Sequence, residues 1–382
     1  MRIVITGMSA MCSLGDNEKE IWNNLISLKT GITYKHRFQE DFFSEFCLGS
    51  IKSIDEGWCG GDIRYALFQN IDKCLKDAKI ERNEYKNNLA FSLGTSLLGT
   101  YEYMKFVESN KTVFDNCFLR TETIKELYKR YDAQKGVYIS NIACASGTAC
   151  FEIGLDILRA DEADYVICGG IDYLGKLSIC GFNSLSSLSK KICQPFDIER
   201  NGINLGEGGA FFVLEEYDHA VKRGAKIYAE VVDCLSGNEA YHTTTSEPEG
   251  KEIIQLIDNI CLRNGIHSTD INYINMHGTG TLNNDAMEEI VLRKRFNNDY
   301  CKASSTKSLT GHCLGAAGAI EAYLTVLMIS HNKVVQTFNS KEELLGKNKV
   351  VDNNLKIKYA LSLSYAFSGN IAGLLLKKIN VD

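Results

Sequence analysis

The most informative segment of the chain is Val137-Tyr138-Ile139-Ser140-Asn141-Ile142-Ala143-Cys144-Ala145-Ser146-Gly147-Thr148-Ala149. Its first residues are typical of a strand, and the small residues after Cys144 lead into an amphipathic pattern that predicts a helix through Leu158. Cys144 therefore lies at a helix start, where unpaired N–H groups and the helix dipole favour negative charge. We expect this position to lower the pKa of the thiol from about 8.5 towards neutrality. The chain has 14 cysteines, most of which should be buried structural residues, and this position marks Cys144 as the nucleophile.

The second half of the chain carries a weak repeat of this arrangement. A strand-like segment at 301–304 is followed by His312, and the small residues Gly315-Ala316-Ala317-Gly318-Ala319 begin a helix through Ile329. Small residues at both helix starts allow their backbones to approach closely. The repeat therefore predicts two duplicated halves that pack back to back.

Strand-like and helix-like segments alternate along the whole chain, which predicts an α/β protein with a largely buried sheet. We expect the first strand to end in a turn at Gly7. The polar turn Asp218–Lys226 is the expected seam between an N-terminal half, 1–225, with the cysteine and a C-terminal half, 226–382, with two candidate histidines. The predicted strands are Ile3–Thr6, Leu89–Leu93, Val137–Ile142, Tyr165–Cys168, Ala210–Leu214, Ile227–Cys234, Tyr273–Met276, Cys301–Ser304, Ala360–Ser364 and Gly373–Lys377.

Composition excludes several classes of protein. A formal net charge of −6 argues against a nucleic-acid-binding protein, which needs a broad basic face. The cysteines are scattered singly with no C-x-x-C pair, so we expect them to be reduced. The apolar start Ile3-Val4-Ile5 is broken by Gly7 and Ser9, unlike a signal peptide. We identified no run as long and apolar as a membrane span, and we expect a cytoplasmic protein.

The first candidate histidine, His277, follows a predicted strand in the segment His277-Gly278-Thr279-Gly280-Thr281. The two glycines let the backbone approach a ligand, and the two threonines offer hydroxyl groups to a polar chain. A lone histidine is more often a structural residue. A histidine in a Gly/Thr loop at a strand end indicates a site, because α/β sheets bind ligands there.

The second candidate histidine, His312, lies five residues after Lys307. A charged lysine beside an apolar, Gly/Ala-rich segment needs a carboxylate partner. Glu321 is the expected partner, and Asp285 is a second candidate. The alternative is a solvated lysine beside a core histidine.

Four segments, in the order in which they follow one another along the chain, resemble those of the β-ketoacyl-acyl-carrier-protein synthases, in their decarboxylating Cys-His-His branch. The resemblance extends over nearly the whole chain. It implies a thiolase-like five-layer αβαβα sandwich of two duplicated halves, usually assembled as a homodimer. The segments are the cysteine segment, His277 to Asp285, Lys307 to Glu321, and Gln194-Pro195-Phe196-Asp197-Ile198-Glu199-Arg200-Asn201-Gly202 running into Gly206-Glu207-Gly208.

The resemblance also implies the reaction, a decarboxylative Claisen condensation in fatty-acid, polyene or polyketide biosynthesis. Cys144 would accept an acyl chain from the phosphopantetheine of an acyl carrier protein. His277 and His312 would donate hydrogen bonds to the malonyl thioester carbonyl, with no metal and no cofactor of the chain's own. A non-condensing acyltransferase and a structural partner subunit of another ketosynthase are the alternatives.

Supporting roles follow from the same resemblance. Thr279 and Thr281 match the threonines that contact pantetheine. Lys307 and Glu321 match a charged pair that orients the histidines, with Asp285 a further supporting residue. The loop of Phe367 matches a gate whose backbone N–H helps to form the oxyanion hole.

One segment departs from the family. The gating loop is usually like G-F-G-G-T-N, whereas here it is Tyr365-Ala366-Phe367-Ser368-Gly369-Asn370-Ile371. Ala366 and Ser368 should restrict the backbone, and Asn370 leaves a Cys-His-Asn arrangement open. The departures favour a specialised synthase of a polyene or polyketide pathway, as a homodimer or with a chain-length-factor-like subunit.

The carrier protein is acidic in this family, so the resemblance implies a basic docking surface. Charged side chains on exposed helices more often contact only water than bind a partner. The candidate docking residues are Arg64, Lys125, Lys129, Arg130, Lys190 and Lys191.

Overall fold

The structure, a computed structural model, describes residues 1–55, 63–97 and 119–379. In these ranges ten strands form one continuous sheet. Each overlaps a predicted strand, with ends displaced by a few residues. The strands are β1 (Ile3–Cys12), β2 (Leu89–Gly94), β3 (Val137–Ser140), β4 (Tyr165–Asp172), β5 (Gly208–Glu216), β6 (Ala229–Asn238), β7 (Ile271–Asn275), β8 (Lys302–Ser304), β9 (Tyr359–Tyr365) and β10 (Asn370–Lys377).

The α-helices of the described ranges lie on both sides of each half of this sheet. They are α1 (Glu18–Ile26), α2 (Asp41–Ser44), α3 (Lys52–Asp55), α4 (Ile63–Asp77), α5 (Arg82–Tyr85), α6 (Leu119–Tyr131), α7 (Ser146–Arg159), α8 (Lys176–Ser184), α9 (Tyr217–Lys222), α10 (Lys251–Arg263), α11 (Leu282–Arg295), α12 (Lys307–Thr310) and α13 (Ala317–His331). Short 3₁₀ turns lie at Ala143–Ala145, Ser268–Asp270, Leu314–Ala316, Glu343–Asn348 and Phe367–Gly369.

The strand order shows that the sheet is built twice. The first half has the order β1-β5-β4-β2-β3, and the second half has the order β6-β10-β9-β7-β8. In both, the first two pairings are antiparallel and the last two are parallel. Within the described part of the sheet, the two halves are hydrogen-bonded to each other where Ile3–Ile5 of β1 pair with 229–231 of β6. The predicted boundary after residue 225 falls between α9 and β6, and as a domain division it stays a prediction.

The halves enclose a middle layer of two helices, α7 and α13. Each packs against strands of both halves, and the two helices pack against each other. Helices α4 and α6 cover the outer face of the first half, and α10 and α11 cover that of the second. Together these form five layers, which confirms the predicted thiolase-like α/β sandwich.

The predicted close approach of the small-residue helix starts is present. A Cβ on Gly147 would lie 2.8 Å from the backbone N of Ala319, and a Cβ on Gly318 would lie 2.8 Å from the backbone N of Thr148. Real Cβ atoms do not come this close, so any side chain at either position would push the two helices apart.

The duplication extends to the turn before each central helix. Both 3₁₀ turns begin with a non-glycine residue of positive φ, Ala143 at +52° and Leu314 at +53°. In this pairing the partner of Cys144 is Gly315. The sequence pattern instead pairs Cys144 with His312, because each is a polar residue between a strand and a small-residue helix start.

Two other expectations are wrong. β1 does not end in a turn at Gly7 but continues to Cys12, with a shift of register between Ile5 and Gly7. One segment, Leu314–His331, is long and apolar enough to span a membrane, although we expected none. Protein buries 89% of that segment, because it is the middle-layer helix α13 with its preceding turn, and it needs apolar residues on every face.

Candidate active site

A cavity of about 540 Å³ lies where the two halves meet, and both contribute to its wall. Cys144 comes from the first half. The second half contributes the two histidines, the two threonines and the phenylalanine that the sequence singled out. These six residues are Cys144, His277, His312, Thr279, Thr281 and Phe367.

A tight turn fixes Cys144 at the start of α7. Ala143 adopts positive φ, which an L-residue adopts only at a cost in energy. The Ser146 hydroxyl donates to the Ala143 carbonyl at 2.6 Å and accepts from the Ile142 N–H at 2.9 Å. The strained backbone is therefore held by a side chain of its own helix, and the cysteine faces the cavity.

The thiol of Cys144 is not predisposed to ionise, contrary to the sequence-based expectation. Burial raises its pKa to about 12, although the Lys307 ammonium lowers it in opposition. On burial, a thiolate in this position loses more free energy of hydration than it gains from the helix start and the Lys307 ammonium. Cys144 is therefore a neutral thiol at pH 7, and its proton must leave as it attacks.

Lys307 lies behind the first histidine and is fully buried. Its Nζ donates to the backbone carbonyl of His277 at 2.6 Å and lies 3.3 Å from Nδ1 of the same ring. It also forms an ion pair with Glu321, as the sequence predicted. A lysine ammonium can only donate, so Nδ1 of His277 is an acceptor and the proton of the neutral ring lies on Nε2.

Both histidines are neutral. Burial, together with the charge of Lys307, lowers the pKa of each ring well below its usual value. The two ring centroids are 5.3 Å apart and the ring planes are nearly perpendicular. Two uncharged imidazoles thus meet at one wall of the cavity, where each can donate a hydrogen bond to the same oxygen.

Two carboxylates hold the loop of His277, and the sequence assigned neither of them this role. Glu288 accepts from the N–H of His277 at 2.8 Å and from that of Gly278 at 2.6 Å. Asp285 accepts from the N–H groups of Phe196 and Gly280. Asp285 is therefore not a partner of Lys307, because its carboxylate is turned towards this loop. The separation of three residues places both carboxylates on one face of α11, a pattern that could have identified Glu288.

Among the matched families, the model of the beta-ketoacyl synthase N-terminal domain covers residues 62–220, and that of the C-terminal domain covers residues 228–341. The chain belongs to the beta-ketoacyl synthase family. This finding confirms the predicted family and the acyltransferase class.

Curated relatives of the synthase match along its whole length. The 3-oxoacyl-[acyl-carrier-protein] synthase 2 of Staphylococcus aureus (strain MRSA252) is 30% identical over 410 residues, which cover 99% of this chain and 98% of the relative. The enzyme of the same name from Vibrio cholerae is 29% identical over 411 residues, with 99% of each chain covered.

Solved structures similar to the synthase are ketosynthases. One is a chain of an assembly of a type II polyketide acyl-carrier protein with its ketosynthase, at a TM-score of 0.88 and 25% identity. Another is a chain of the ishigamide ketosynthase/chain length factor, at a TM-score of 0.87 and 25% sequence identity. Both similarities cover 99% of each chain.

The gating loop of the synthase is fastened to its surroundings. Phe367 stacks on Phe182 with ring centroids 5.5 Å apart. The Asn370 side chain bonds to Asn238 and to the Phe367 carbonyl rather than lining the cavity. The cavity holds His312 as a second histidine beside His277, which argues against a Cys-His-Asn arrangement.

The remaining predicted positions lie as follows in the synthase. The hydroxyls of Thr279 and Thr281 contact each other at 2.8 Å in the cavity wall. None of the six basic docking candidates lines the cavity. Lys190 pairs with Glu45 at 2.5 Å, and Arg130 pairs with Asp72.

The sequence also missed two residues that connect segments at the site. Asp172 accepts from the Gly315 N–H at 2.7 Å and so ties β4 to the turn before α13. Arg200 donates to the carbonyls of Thr281 and Leu282. Within the described ranges, no group of three His, Cys, Asp or Glu side chains is placed to hold a metal ion.

Proposed function

We propose that the chain is a β-ketoacyl-acyl-carrier-protein synthase that uses Cys144, His277 and His312. The observation that carries the proposal is that these three side chains meet at one cavity, with the buried Lys307 behind His277. A transferase without a condensation step needs a thiol and one base. It gives no reason for two neutral histidines.

The first half-reaction charges the cysteine. The Cys144 sulfur attacks the thioester carbonyl of an acyl carrier protein, a new C–S bond forms, and the carrier thiol leaves with the cysteine proton. Since the pKa of Cys144 is raised and Nε2 of His277 already carries a proton, neutral His312 is the base that removes this proton during attack.

The second half-reaction extends the chain by two carbons. The bond between the carboxylate and the methylene carbon of malonyl thioester breaks, carbon dioxide leaves, and the electron pair remains as an enolate. The enolate oxygen accepts hydrogen bonds from the Nε2–H of His277 and from His312. The carbanion attacks the acyl-Cys144 carbonyl, a C–C bond forms as the C–S bond breaks, and the leaving thiolate takes up a proton from water. No step of this sequence uses a metal or a further cofactor.

The partners that fit this reaction are acyl- and malonyl-loaded carrier proteins. Some solved relatives are chains of ketosynthase complexes with a carrier protein or a chain length factor. We therefore propose a homodimer or a heterodimer with such a subunit, working in the cytoplasm on fatty-acid, polyene or polyketide chains.

Malonyl decarboxylation tests the proposal. Wild-type protein should release carbon dioxide from malonyl-carrier protein. Cys144→Ala should retain this release but form no acyl-enzyme, and His312→Ala should lose about 10²–10³ in rate. No carbon dioxide release by wild-type protein would contradict the proposal.

Mass spectrometry of the acyl-enzyme separates an active synthase from a structural partner subunit. In a Cys180→Ser background, which removes an exposed competing thiol, acyl-carrier protein should add one acyl group, and Cys144→Ala should abolish it. A chain that accepts no acyl group and resists iodoacetamide at Cys144 would be the structural partner.

A further inference from the structure

The mouth of the cavity is rimmed by exposed apolar side chains. Leu185 and Leu282 line the cavity while remaining 47% and 61% exposed, and Ile198, on the loop of Arg200, is 69% exposed. We call these three residues the apolar rim. Scattered exposed leucines are normal on a protein surface. Here Leu185 and Leu282 belong to the cavity lining and Ile198 is two residues from Arg200, which also lines it, so three exposed apolar side chains lie on the segments that form the opening.

Backbone hydrogen bonds tie the loops of the apolar rim together. The Gly202 N–H donates to the Gly280 carbonyl at 2.9 Å, and the Ile203 N–H donates to the Ser187 carbonyl at 2.8 Å. These bonds hold the segments 185–187, 198–203 and 280–282 next to one another at the opening. A preformed apolar surface binds a partner without the entropy cost of ordering loops.

The positive charge within the described cavity lining is already neutralised. Of the described residues that line the cavity, Arg200 is the only lysine or arginine. Its guanidinium donates to the carbonyls of Asp197, Thr281 and Leu282 and lies 3.9 Å from Asp285. Its side chain is only 9% exposed, so little positive charge is offered to an incoming protein.

We propose that the acyl carrier protein docks on the apolar rim through an apolar contact, rather than through the basic residues that the sequence suggested. The inference rests on the proposed function. A thioester that reaches Cys144 through this opening brings its carrier protein against the rim, so the rim becomes the centre of the contact. Protein interfaces commonly have such an apolar centre depleted of charge.

Kinetics with two forms of malonyl substrate test the docking surface. For Ile198→Ser, kcat/KM with malonyl-carrier protein should fall about tenfold, while kcat/KM with malonyl-pantetheine should change much less. Leu262→Ser is the matched control, because Leu262 is 80% exposed on α10 and does not line this cavity, and it should affect neither substrate. Between about 0.05 and about 0.5 M NaCl the KM for the carrier substrate should stay nearly constant, since screening acts on charge.

Three results would overturn the inference. Lys190→Glu and Lys191→Glu could reduce only the carrier reaction while Ile198→Ser has no effect. The KM could rise steeply with salt. Ile198→Ser could change the mass of the assembly in solution, which would make the rim an interface between copies of the chain. Failure of the proposed function is distinct, because condensation would then be absent with every substrate.

Discussion

Lys307 has two separate roles that substitutions can distinguish. It neutralises the buried Glu321 carboxylate, and it keeps Nδ1 of His277 as an acceptor. The first role concerns stability, and the second concerns the reaction.

We predict that Lys307→Met lowers stability by about 3–5 kcal/mol, because it leaves Glu321 buried and unpaired. Lys307→Met combined with Glu321→Leu should recover most of this loss, since the uncompensated charge is gone. The double variant should still decarboxylate malonyl-carrier protein about 10² times more slowly than wild type. Thermal unfolding and carbon dioxide release measure the two effects. Full activity in the double variant would leave Lys307 with a structural role only.

The acid dependence of decarboxylation should reflect the neutral histidines. Since the pKa values of His277 and His312 lie well below 6.5, lowering the pH from about 8 to about 6 should leave both rings uncharged. The rate for Cys144→Ala should therefore be flat over this range. A fall by half near pH 6.5 would show that one histidine titrates at its ordinary value.

Several site residues could be predicted individually, but not their surroundings. Cys144, His277, His312 and the pair Lys307–Glu321 each stand in a distinctive local segment. The raised pKa of Cys144 depends on its burial in the folded protein, which no local pattern contains. Glu288 looked like an ordinary helix residue, because its partners are backbone N–H groups 10 and 11 residues away.

The two central helices are the elements on which the site depends most. Gly147 and Gly318 occupy matching positions, each three residues after the centre of its 3₁₀ turn. Their contact sets the distance between α7, which begins at the nucleophile, and α13, which follows the second histidine.

We predict that Gly318→Ala destabilises the protein by about 1–3 kcal/mol through overpacking, because its Cβ would lie 2.8 Å from the backbone N of Thr148. Gly181→Ala is the control. Gly181 lies within α8 with open space around it, so alanine should stabilise by about 0.5–1 kcal/mol. Chemical unfolding measures the free energy of unfolding of both variants. Equal changes in that free energy would contradict close packing of the central helices.

The sequence predicts that both Ala366 and Ser368 restrict the backbone of the gating loop, but of these two residues only Ser368 has a restricted conformation. Ala366 is extended, a conformation open to any residue, whereas Ser368 has φ of +64°. The Ser368 N–H donates to the Thr243 carbonyl at 2.7 Å, which holds the loop in this form.

We predict that Ser368→Gly stabilises the observed loop conformation by about 1 kcal/mol, since glycine adopts positive φ without the steric cost. Ala366→Gly should instead lower stability slightly, because it only adds freedom to the unfolded chain. Thermal unfolding compares the two variants. A loss of stability in Ser368→Gly would show that the serine side chain contributes more than its backbone strain costs.

The duplication of the whole molecule was partly visible in its sequence. Ten strand segments could be located because buried strands are short apolar runs. The order of these strands could not be predicted, because the pairing of β1 with β5 and β6 joins residues that are 196 to 228 positions apart. The resemblance supplied the architecture that local patterns could not.

Stability as a function of pH should show the cost of burying neutral histidines. The pKa values of His277 and His312 are lower in the folded protein than the ordinary 6.5, so the unfolded chain binds more protons below about pH 6.5. The free energy of unfolding should therefore decrease as the pH falls below that value, by up to about 1.4 kcal/mol per pH unit for each ring.

Replacing one ring by an uncharged side chain checks this linkage. His312→Gln should reduce the slope of unfolding free energy against pH between about 6.5 and 5. The exposed His242 provides the control, and His242→Gln should leave the slope unchanged. An unaltered slope in His312→Gln would mean that its ring is protonated in the folded protein.

The paired turns at Ala143 and Leu314 bear on the ancestry of the enzyme. One turn presents the nucleophile, while the other carries Gly315 packed against Asp172 and presents no reactive group. Both have kept the same positive φ. A conformation shared by a catalytic and a non-catalytic copy belongs to the architecture that both halves inherited. The strained turn is thus a property of the repeated architecture, and Cys144 uses a backbone geometry that its counterpart forms without a reactive group.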